Sequence, residues 1–345
     1  MGTTDGDAVV AAARAGDESA FAALVARHQH ELRVHCYRMT GSLEESEDLV
    51  QETFLRAWKN LGGFAGRSTF RAWLYRIATN ACLDALDGRA RRVLPHDVEG
   101  PSDPRAGRPP RTDIAWLQPF PDLPAPAEAQ PEAAAVTRET IELTFLAAIQ
   151  HLPPRQRAVL ILRDVLGWSA RQTAEHLDGS VASVNSALQR ARATMREHLP
   201  ERRLDWRAPA EPTPRERAVL RRYMDAVEHA DLTAMAGLLA EDVRTTMPPY
   251  PMWFQGRDAV LEALAAGWDP ASPAYVGRFA MRPAAANRQP AVAAYLREPS
   301  SPVYRAAAIG VLRIEGDLIV EATAFHDPGL FPAFGLPLEL PSAHR

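Results

Sequence analysis

A dense run of prolines divides this chain and limits what each part of it can fold into. Ten prolines fall within the 37 residues from Pro95 to Pro131. Proline lacks a backbone N–H and interrupts helices and central strands, so this stretch is expected to be a stiff, partly extended linker. A shorter break marked by prolines follows further along. We therefore predict three domains, at 1–94, 136–200 and 214–345, joined by linkers at 95–135 and 201–213.

Composition narrows the class of protein. The chain has 345 residues, 46% of them hydrophobic and 24% charged, which suffices for several packed cores, and its net charge of −4 carries no overall basic signature. Two cysteines without a Cys-x-x-Cys motif exclude a disulfide framework and a cysteine-based metal site. The N-terminus lacks the order of a signal peptide, and no apolar run reaches membrane-span length. We expect a cytoplasmic protein with no membrane partner.

The first domain is predicted to be helical throughout. Apolar residues recur at helical spacing over 20–39, and Ser42 with Glu45 forms a capping box that begins the next helix. A third helix is predicted over 68–87. The charges are segregated: residues 41–55 hold five acids and no base, whereas residues 56–92 hold eight bases and two acids. One acidic and one basic surface indicate two different partners.

The second domain has the outline of a helix-turn-helix. Ser169 and Gln172 form a capping box before a short helix, and a Gly-containing turn leads into a long helix over Val181–Leu199. Its apolar stripe is predicted to consist of Val184, Leu188, Ala191 and Met195. The opposite face then carries small and polar residues that suit close approach to base edges and phosphates: Ala182, Ser183, Asn185, Ser186, Gln189, Arg190 and Arg196.

The third domain is predicted to be α+β, with helices before the sheet. Helical patterns occur at 215–230 and 257–266. Strand patterns follow, with a hairpin turn at Glu315-Gly316-Asp317, over Val276–Met281, Ala291–Leu296, Tyr304–Ile314 and Leu318–Phe325. An apolar, Pro- and Gly-rich tail runs from Asp327 to Pro337.

Two long motifs resemble a known family. Residues 47–58 (EDLVQETFLRAW) and 70–80 (FRAWLYRIATN) resemble region 2 of extracytoplasmic-function (ECF) sigma factors of the sigma-70 family. Residues 152–157 (LPPRQR) and the helix-turn-helix after them are similar to region 4 of that family. The third domain resembles the SnoaL-like domain of the NTF2-like fold. The resulting fold class is multidomain, with two all-α sigma domains and an α+β NTF2-like domain.

The resemblance implies a set of partners and contact residues. Region 2 would hold the β′ clamp helices of core RNA polymerase and melt the minus-10 promoter element, while region 4 would read minus-35 and meet the β flap. The polymerase-binding residues are expected to be Asp48, Gln51, Glu52, Phe54 and Trp58. The minus-10 DNA residues are expected to be Arg67, Phe70, Arg71, Trp73, Arg76 and Asn80. The minus-35 DNA residues are expected to be Arg171, Ser183, Asn185, Ser186, Gln189, Arg190 and Arg192. No cofactor, metal or catalytic residue is expected.

Structural roles compete with several of these assignments. Phe54 and Trp58 are spaced so that both fit a helix core. Trp73 and Tyr75 lie two apart on a helix, so one of them is expected to be buried. Arg190 and Arg192 are more typical of phosphate contacts than of base readers. The family commonly has basic residues at the positions of Asn185 and Ala187, so two phosphate contacts are expected to be missing. The histidines of the first domain are expected to be ordinary helix residues: His28, His30 and His35.

The role of the third domain stays open between regulation and chemistry. Regulation by intramolecular contacts is favoured, with the tail packing against the two helical domains, and its sign and any small-molecule ligand are left open. A ligand-sensing helix-turn-helix regulator is one alternative. A SnoaL-type cyclase or isomerase is another, with a pocket lined by Asp242, Arg244, Tyr223, Trp253 and His326. The acidic helix argues against both alternatives, since neither needs a polymerase-docking surface.

Overall fold

The computed structural model describes residues 3–66, 68–122, 142–199 and 212–341. It divides into two compact units. The first unit contains 3–91 and 142–199, and the second contains 92–122 and 212–341. Among these described residues, no helix combines the length and apolar character of a membrane span.

The first helical module, residues 3–91, forms because capping residues separate its amphipathic helices. Ser42 caps the third helix by accepting a hydrogen bond from the Glu45 backbone N–H at 3.3 Å, and Gly41 ends the second helix with φ 70°. The helices are α1 (Thr3–Arg14), α2 (Glu18–Thr40), α3 (Leu43–Asn60) and α4 (Phe70–Leu86). The core lies where α2, α3 and α4 meet, and it includes the fully buried Tyr37, Leu74 and Tyr75.

The second helical module, residues 142–199, has the predicted helix-turn-helix. Its helices are α5 (Leu143–Gln150), α6 (Pro154–Leu160), which continues as a π-helical turn (Ile161–Val165), α7 (Ala170–His176) and α8 (Val181–His198). Ser169 and Gln172 form both halves of the predicted capping box. The predicted apolar stripe of α8 is buried, with Val184, Leu188, Ala191 and Met195 at most 6% exposed.

The second unit is built on one mixed sheet. The described strands are β1 (Leu239–Thr246), β2 (Trp253–Gln255), β3 (Arg278–Ala286), β4 (Gln289–Arg297), β5 (Val303–Glu315), β6 (Leu318–Phe325) and β7 (Glu339–Pro341). Their order is β2-β1-β6-β5-β4-β3, with β7 paired to β5; only the β1–β6 pair among these is parallel. The helices are α9 (Pro214–Glu228), α10 (Leu232–Ala236) and α11 (Arg257–Trp268). This is the predicted α+β arrangement.

One face of the sheet forms the core of this unit with the helices. Val219 and Leu220 of α9 pack in the same buried cluster as Met281, Val292 and Leu312 from three neighbouring strands. Burying such aliphatic side chains is the main source of stability for a fold of this kind. The predicted hairpin turn between β5 and β6 is present, and Gly316 adopts φ 64° in it.

Residues 92–122, which we call the strap, belong to the second unit and dock on its sheet; they overlap the stiff, partly extended linker predicted over 95–135. Two hydrogen bonds of 2.9 Å join Phe120 to Asn287. The Asn287 N–H donates to the Phe120 carbonyl, and the Phe120 N–H donates to the side-chain oxygen of Asn287. Nearer the start of the strap, the Glu99 carbonyl accepts a hydrogen bond of 2.8 Å from the Trp253 indole N–H. Apolar residues explain the docking, because Leu117 and Phe120 are 1% and 2% exposed.

The C-terminal tail also completes this unit. Phe331 is fully buried, and its ring meets the Tyr295 ring of β4 edge-on at 5.2 Å. The Tyr295 hydroxyl donates to the Pro337 carbonyl at 2.9 Å. This differs from the predicted packing of the tail against the helical domains, since these residues find their partners on their own sheet.

The strap should contribute directly to the stability of the second unit. Phe120→Ala removes a buried aromatic ring and should lower the free energy of unfolding of this unit by about 3 kcal/mol. Val98→Ala is the control, because Val98 lies in the same strap and is 38% exposed. Urea unfolding of the full chain, followed by near-ultraviolet circular dichroism, measures both. Equal effects of the two substitutions would show that the strap is not part of this core.

Candidate functional site

The acidic face of α3 is exposed as predicted. Asp48 and Gln51 are exposed, and Glu52 is half-buried and accepts a 2.7 Å hydrogen bond from Arg56. Their spacing along the helix places them on one side. Leu55 extends this face at i+4 from Gln51, and it is 55% exposed, an unusual position for a leucine. Sequence reasoning missed Leu55 because a leucine in an amphipathic helix is normally assigned to the core.

The two aromatic residues predicted beside this face behave differently. Phe54 is buried at 8% exposure and meets the Phe21 ring of α2 edge-on, so its role is packing and not surface contact. Trp58 is 37% exposed, although its ring lies 4.7 Å from that of Phe21. The side chains of α3 that solvent reaches on this face are therefore Asp48, Gln51, Glu52, Leu55 and Trp58.

Arg71, predicted to contact minus-10 DNA, is engaged inside the first module. Its Nε donates to Glu31 Oε2 at 2.7 Å, and Glu31 also meets His28 Nδ1 at 2.6 Å. Glu31 is 2% exposed. Burial raises the pKa of this carboxyl, but the His28 hydrogen bond and the Arg71 charge more than offset that and hold it below its usual range. Arg71 is thus the countercharge of a buried acid.

The other predicted minus-10 residues separate into core and surface. Phe70 is 8% exposed and belongs to an aromatic cluster with Phe64 and Trp73, whose rings lie 5.1–5.7 Å apart. Trp73 is half-buried and Tyr75 is fully buried, which confirms that one of the two is in the core. Asn80 is half-buried. Arg67 lies outside the described residues.

The polar face of α8 is exposed as predicted. Asn185, Ser186, Gln189 and Arg190 lie in solvent on one side of the helix. Ser183 is exposed too, but its hydroxyl donates to the Ser180 carbonyl and accepts from the Ser180 N–H, so it also caps α8. Small and polar side chains at the N-terminal half of such a helix suit entry into a major groove.

Two of the three arginines predicted to contact minus-35 DNA form ion pairs within the second helical module. Arg171 pairs with Glu175 at 3.0 Å, and Arg192 binds both oxygens of Asp164 at 2.7 and 2.9 Å. Arg190 instead donates to the Ser186 hydroxyl at 2.6 Å. Ala187 is 9% exposed. The missing phosphate contacts expected at Asn185 and Ala187 stay a prediction.

Two buried histidines meet one threonine at the boundary of the helical modules. His35 Nε2 lies 2.9 Å and His176 Nε2 lies 3.1 Å from the Thr79 hydroxyl oxygen. Both rings are at most 5% exposed. Burial lowers the pKa of His35 to about 3 and that of His176 to about 4, so both are neutral at physiological pH. His28 and His35 thus have the structural roles expected of them.

The five residues predicted to line a pocket in the third domain have different surroundings. Tyr223 packs against the helix-side core, where burial raises its pKa to about 12. Arg244 lies on the other face of the sheet and pairs with Glu321. Trp253 is engaged with the strap, Asp242 is exposed, and His326 stacks edge-on with Tyr250 at 5.4 Å. Within the described part of the chain, no hydrogen bond or ion pair joins two of these five side chains.

Comparisons with known proteins agree with this architecture. A family model described as Sigma-70 region 2 matches residues 24–92, one described as Sigma-70, region 4 matches 142–195, and a SnoaL-like domain model matches 220–322. The chain is 43% identical over 325 residues to the ECF RNA polymerase sigma factor SigG of Mycobacterium tuberculosis, covering 94% of this chain and 85% of that protein. The chain belongs to the ECF RNA polymerase sigma factors. The first and second helical modules are accordingly region 2 and region 4, and the sheet belongs to a SnoaL-like domain.

One further sequence relative and one solved structure also resemble the chain. The RNA polymerase sigma-H factor of Pseudomonas aeruginosa is 32% identical over 187 residues, covering 53% of this chain and 88% of that protein. The crystal structure of the Mycobacterium tuberculosis ECF sigma factor SigJ matches with a TM-score of 0.58 at 22% identity, covering 91% of this chain and 98% of that one, which shows a common fold. Sigma factors are transcription initiation factors and not enzymes.

Arg71 and Arg76 should differ sharply in their effect on stability. Arg71→Ala leaves the buried Glu31 without its main countercharge and should lower the free energy of unfolding by about 3 kcal/mol. Arg76→Ala removes an exposed ion pair and should cost less than about 1 kcal/mol. Thermal unfolding of the two variants under one buffer condition checks this. A stable Arg71→Ala variant would return Arg71 to the DNA-binding set.

The histidine at position 176 should make stability depend on pH. Its folded pKa of about 4 lies below the unfolded value of 6.5, so the unfolded chain binds more protons and stability falls as pH drops from 6.5 toward 4. Between pH 7.5 and pH 5 this contributes a loss of about 2 kcal/mol. His176→Gln keeps a polar side chain and should lose correspondingly less over that range. Identical pH profiles in urea unfolding would contradict the assignment.

Proposed function

We propose that this protein directs promoter-specific transcription initiation by binding core RNA polymerase and promoter DNA. The observation that carries the proposal is the exposed α3 face, where the solvent-exposed Leu55 lies one turn from Gln51 and Glu52 and two turns from Asp48. An exposed leucine beside carboxylates fits a docking site for a basic helical partner, because the apolar contact supplies affinity and the charges supply orientation. The β′ clamp helices are the proposed partner, and no catalytic activity is assigned to the chain.

Region 2 is proposed to hold the minus-10 single strand with a smaller set of residues than the sequence suggests. Trp73 offers a half-buried indole, and Arg76 and Asn80 lie one and two turns further along the exposed side of α4. Aromatic faces and cations on one groove suit unstacked bases and their phosphates, at about 1–3 kcal/mol per stacked base. Phe70 and Arg71 support this surface from within.

Region 4 is proposed to contact minus-35 DNA mainly through polar side chains. Gln189 and Asn185 can hydrogen-bond to base edges, while Arg190 is the arginine of the predicted set without an ion-pair partner among the described residues. Since Arg171 and Arg192 are held in ion pairs, few cations of the predicted set neutralise phosphates, and isolated duplex binding should be weak. Affinity for the minus-35 element would then come largely from the simultaneous binding of region 4 to the β flap.

The SnoaL-like domain is proposed to regulate initiation by restraining the connection between the two sigma regions. The strap leaves region 2 at residue 92 and docks on the sheet through Phe120 and Asn287 before the chain enters region 4. The connection between the two sigma regions is thus bound to a domain that follows both of them in the sequence. A ligand that favours the docked or undocked strap would change activity.

Polymerase binding should depend on the charges of α3. Asp48→Lys combined with Glu52→Lys places two cations opposite the proposed basic partner and should reduce binding to core polymerase at least tenfold. Asp84→Lys combined with Asp87→Lys is a matched control, because it makes the same change of charge at the end of α4. Each double variant also removes one ion-pair partner of Arg56, Glu52 in the first and Asp84 in the control. Pull-down with purified core enzyme measures both. Undiminished binding of the Asp48/Glu52 variant would reject the proposal.

Leu55 should be a binding residue and not a folding residue. Leu55→Ser shortens a side chain that is already 55% exposed, so the free energy of unfolding should change by less than about 0.5 kcal/mol. Polymerase affinity should nevertheless fall about tenfold, because the side chain is the apolar centre of the proposed contact. A melting curve and a binding titration of the same preparation separate the two effects. Loss of stability with unchanged affinity would contradict the assignment.

A further inference from the structure

The last described residues of the strap dock on β3 and on the turn that follows it. The Asp122 N–H donates to the Ala285 carbonyl of β3 at 3.1 Å, and the Arg288 N–H of the turn donates to Asp122 Oδ2 at 2.8 Å. Pro121 forms an antiparallel bridge with Ala286 beside these bonds. The side chain of Asp122 therefore places an ionisable group inside a junction made of backbone hydrogen bonds.

The carboxylate of Asp122 is only half provided for in this junction. Its Oδ2 atom accepts the bond from the Arg288 N–H, whereas its Oδ1 atom is buried and has no hydrogen-bond partner among the residues that the structure describes. Removing an ionised carboxylate from water costs free energy unless hydrogen bonds and countercharges replace the lost hydration. The junction is therefore better suited to a neutral, protonated Asp122 than to a charged one.

The charges around Asp122 offset this cost only in part. Among the described side chains, the charged group that acts on it is the Arg288 guanidinium of the turn. The neighbouring residues of β3, 284–286, are all alanines, and the preceding strap residues Phe120 and Pro121 are uncharged. Burial raises the pKa of Asp122 to about 6, and the charge and the backbone N–H of Arg288 counter that rise without cancelling it.

We propose that Asp122 makes the strap junction a proton-linked anchor, in which protonation of its carboxylate tightens the docking of the strap on the β3–β4 turn and deprotonation loosens it. The proposal rests on the proposed function, because it identifies the proton as the ligand that shifts the strap between its docked and undocked forms. In the docked form the proton neutralises a carboxylate that is buried. In the undocked form water hydrates the same carboxylate, so it stays ionised to a lower pH.

The direction of the pH dependence follows from the two forms of the carboxyl group. The docked Asp122 has a pKa of about 6 and the ordinary value is 3.8, so the docked strap binds more protons and docking strengthens as pH falls through 6. Between pH 7.5 and pH 5 the docking equilibrium should change about tenfold. His326 of the same unit acts in the opposite direction, because burial lowers its pKa to about 4. Tighter docking at acid pH therefore does not come from His326.

The test measures hydrogen exchange of the full chain at pH 5 and pH 7.5. The readout is the protection of the Phe120 and Asp122 N–H groups relative to the unfolded chain at the same pH, which should be about tenfold higher at pH 5 in the wild type. Asp122→Asn keeps an acceptor for the Arg288 N–H but carries no charge, so its protection should not rise at pH 5. Asp113→Asn is the matched control in the same strap: Asp113 is exposed, and its hydrogen bond from Arg111 lowers its pKa to about 2. This control should keep the rise of the wild type.

A second variant leaves the carboxylate in place and changes its surroundings. Arg288→Asn removes the positive charge of the turn, and asparagine accepts the left-handed conformation that Arg288 has, with φ 59°. Without that charge the pKa of the docked Asp122 should be higher, so the rise in protection should begin at a higher pH than in the wild type. A wild type without the rise, a rise that survives in Asp122→Asn, or an unchanged midpoint in Arg288→Asn would each overturn the anchor.

Run-off transcription with core polymerase and genomic fragments separates the anchor from the proposed function. Initiation by the wild type, with equal strap protection at the two pH values, would overturn the anchor and leave the sigma function standing. A rise in protection that Asp122→Asn abolishes, with no initiation by any chain, would support the anchor and overturn the proposed function. The expected result is initiation together with the tenfold rise.

Discussion

The buried guanidinium of Arg157 holds the first unit together. It is 2% exposed and donates to the carbonyls of Met39, Gln150 and Leu152 and to the Gln150 side chain. Burial lowers its pKa to about 10, yet it stays charged at neutral pH. An arginine buried among carbonyl acceptors fixes both the loop between α5 and α6 and the end of α2, because any displacement would leave a desolvated cation without acceptors. The docking of region 4 on region 2 depends on this contact.

A second polar network gives region 2 its shape in a similar way. Glu31 and Arg71 join α2 to α4, and His28 completes the coordination of the carboxylate. Such a network is satisfied in one arrangement only, so it specifies how the helices pack as well as stabilising them. The aromatic surface around Trp73 is then held by a rigid helix pair, which suits the minus-10 surface proposed for it.

Local sequence rules were sufficient for most of the helices and for the central strands. Capping boxes, such as that of Ser169 and Gln172, mark helix ends because they act over three residues. The strand β1 was not predicted, because it contains the exposed charges Glu241 and Asp242. Its strongly apolar residues are only Leu239 and Val243, too few for a clear alternation of apolar and polar positions. Its strand character comes from pairing with β2 and β6, which lie elsewhere in the chain.

The candidate site was harder to predict, because exposure and pairing depend on distant residues. The pattern around α3 and the resemblance identified the acidic face, but not that Phe54 packs on Phe21 while Leu55 is exposed. Arg71 and Arg76 look equivalent in sequence, yet one partner is a buried acid 40 positions earlier and the other an exposed acid 102 positions later. Only the tertiary fold distinguishes a structural arginine from one that is available to DNA.

The insertion of the strap into the sheet domain has a consequence for the order of synthesis. Phe120 finds its partner Asn287 167 positions later. Chains emerge from the ribosome at about 5–20 residues per second and fold from the N-terminus, so both sigma regions are complete about 6–25 seconds before the last central strand of the sheet has been made. Every newly made molecule thus passes through a stage with complete promoter-reading modules and an untethered connection. The restrained form is reached only when translation is nearly finished.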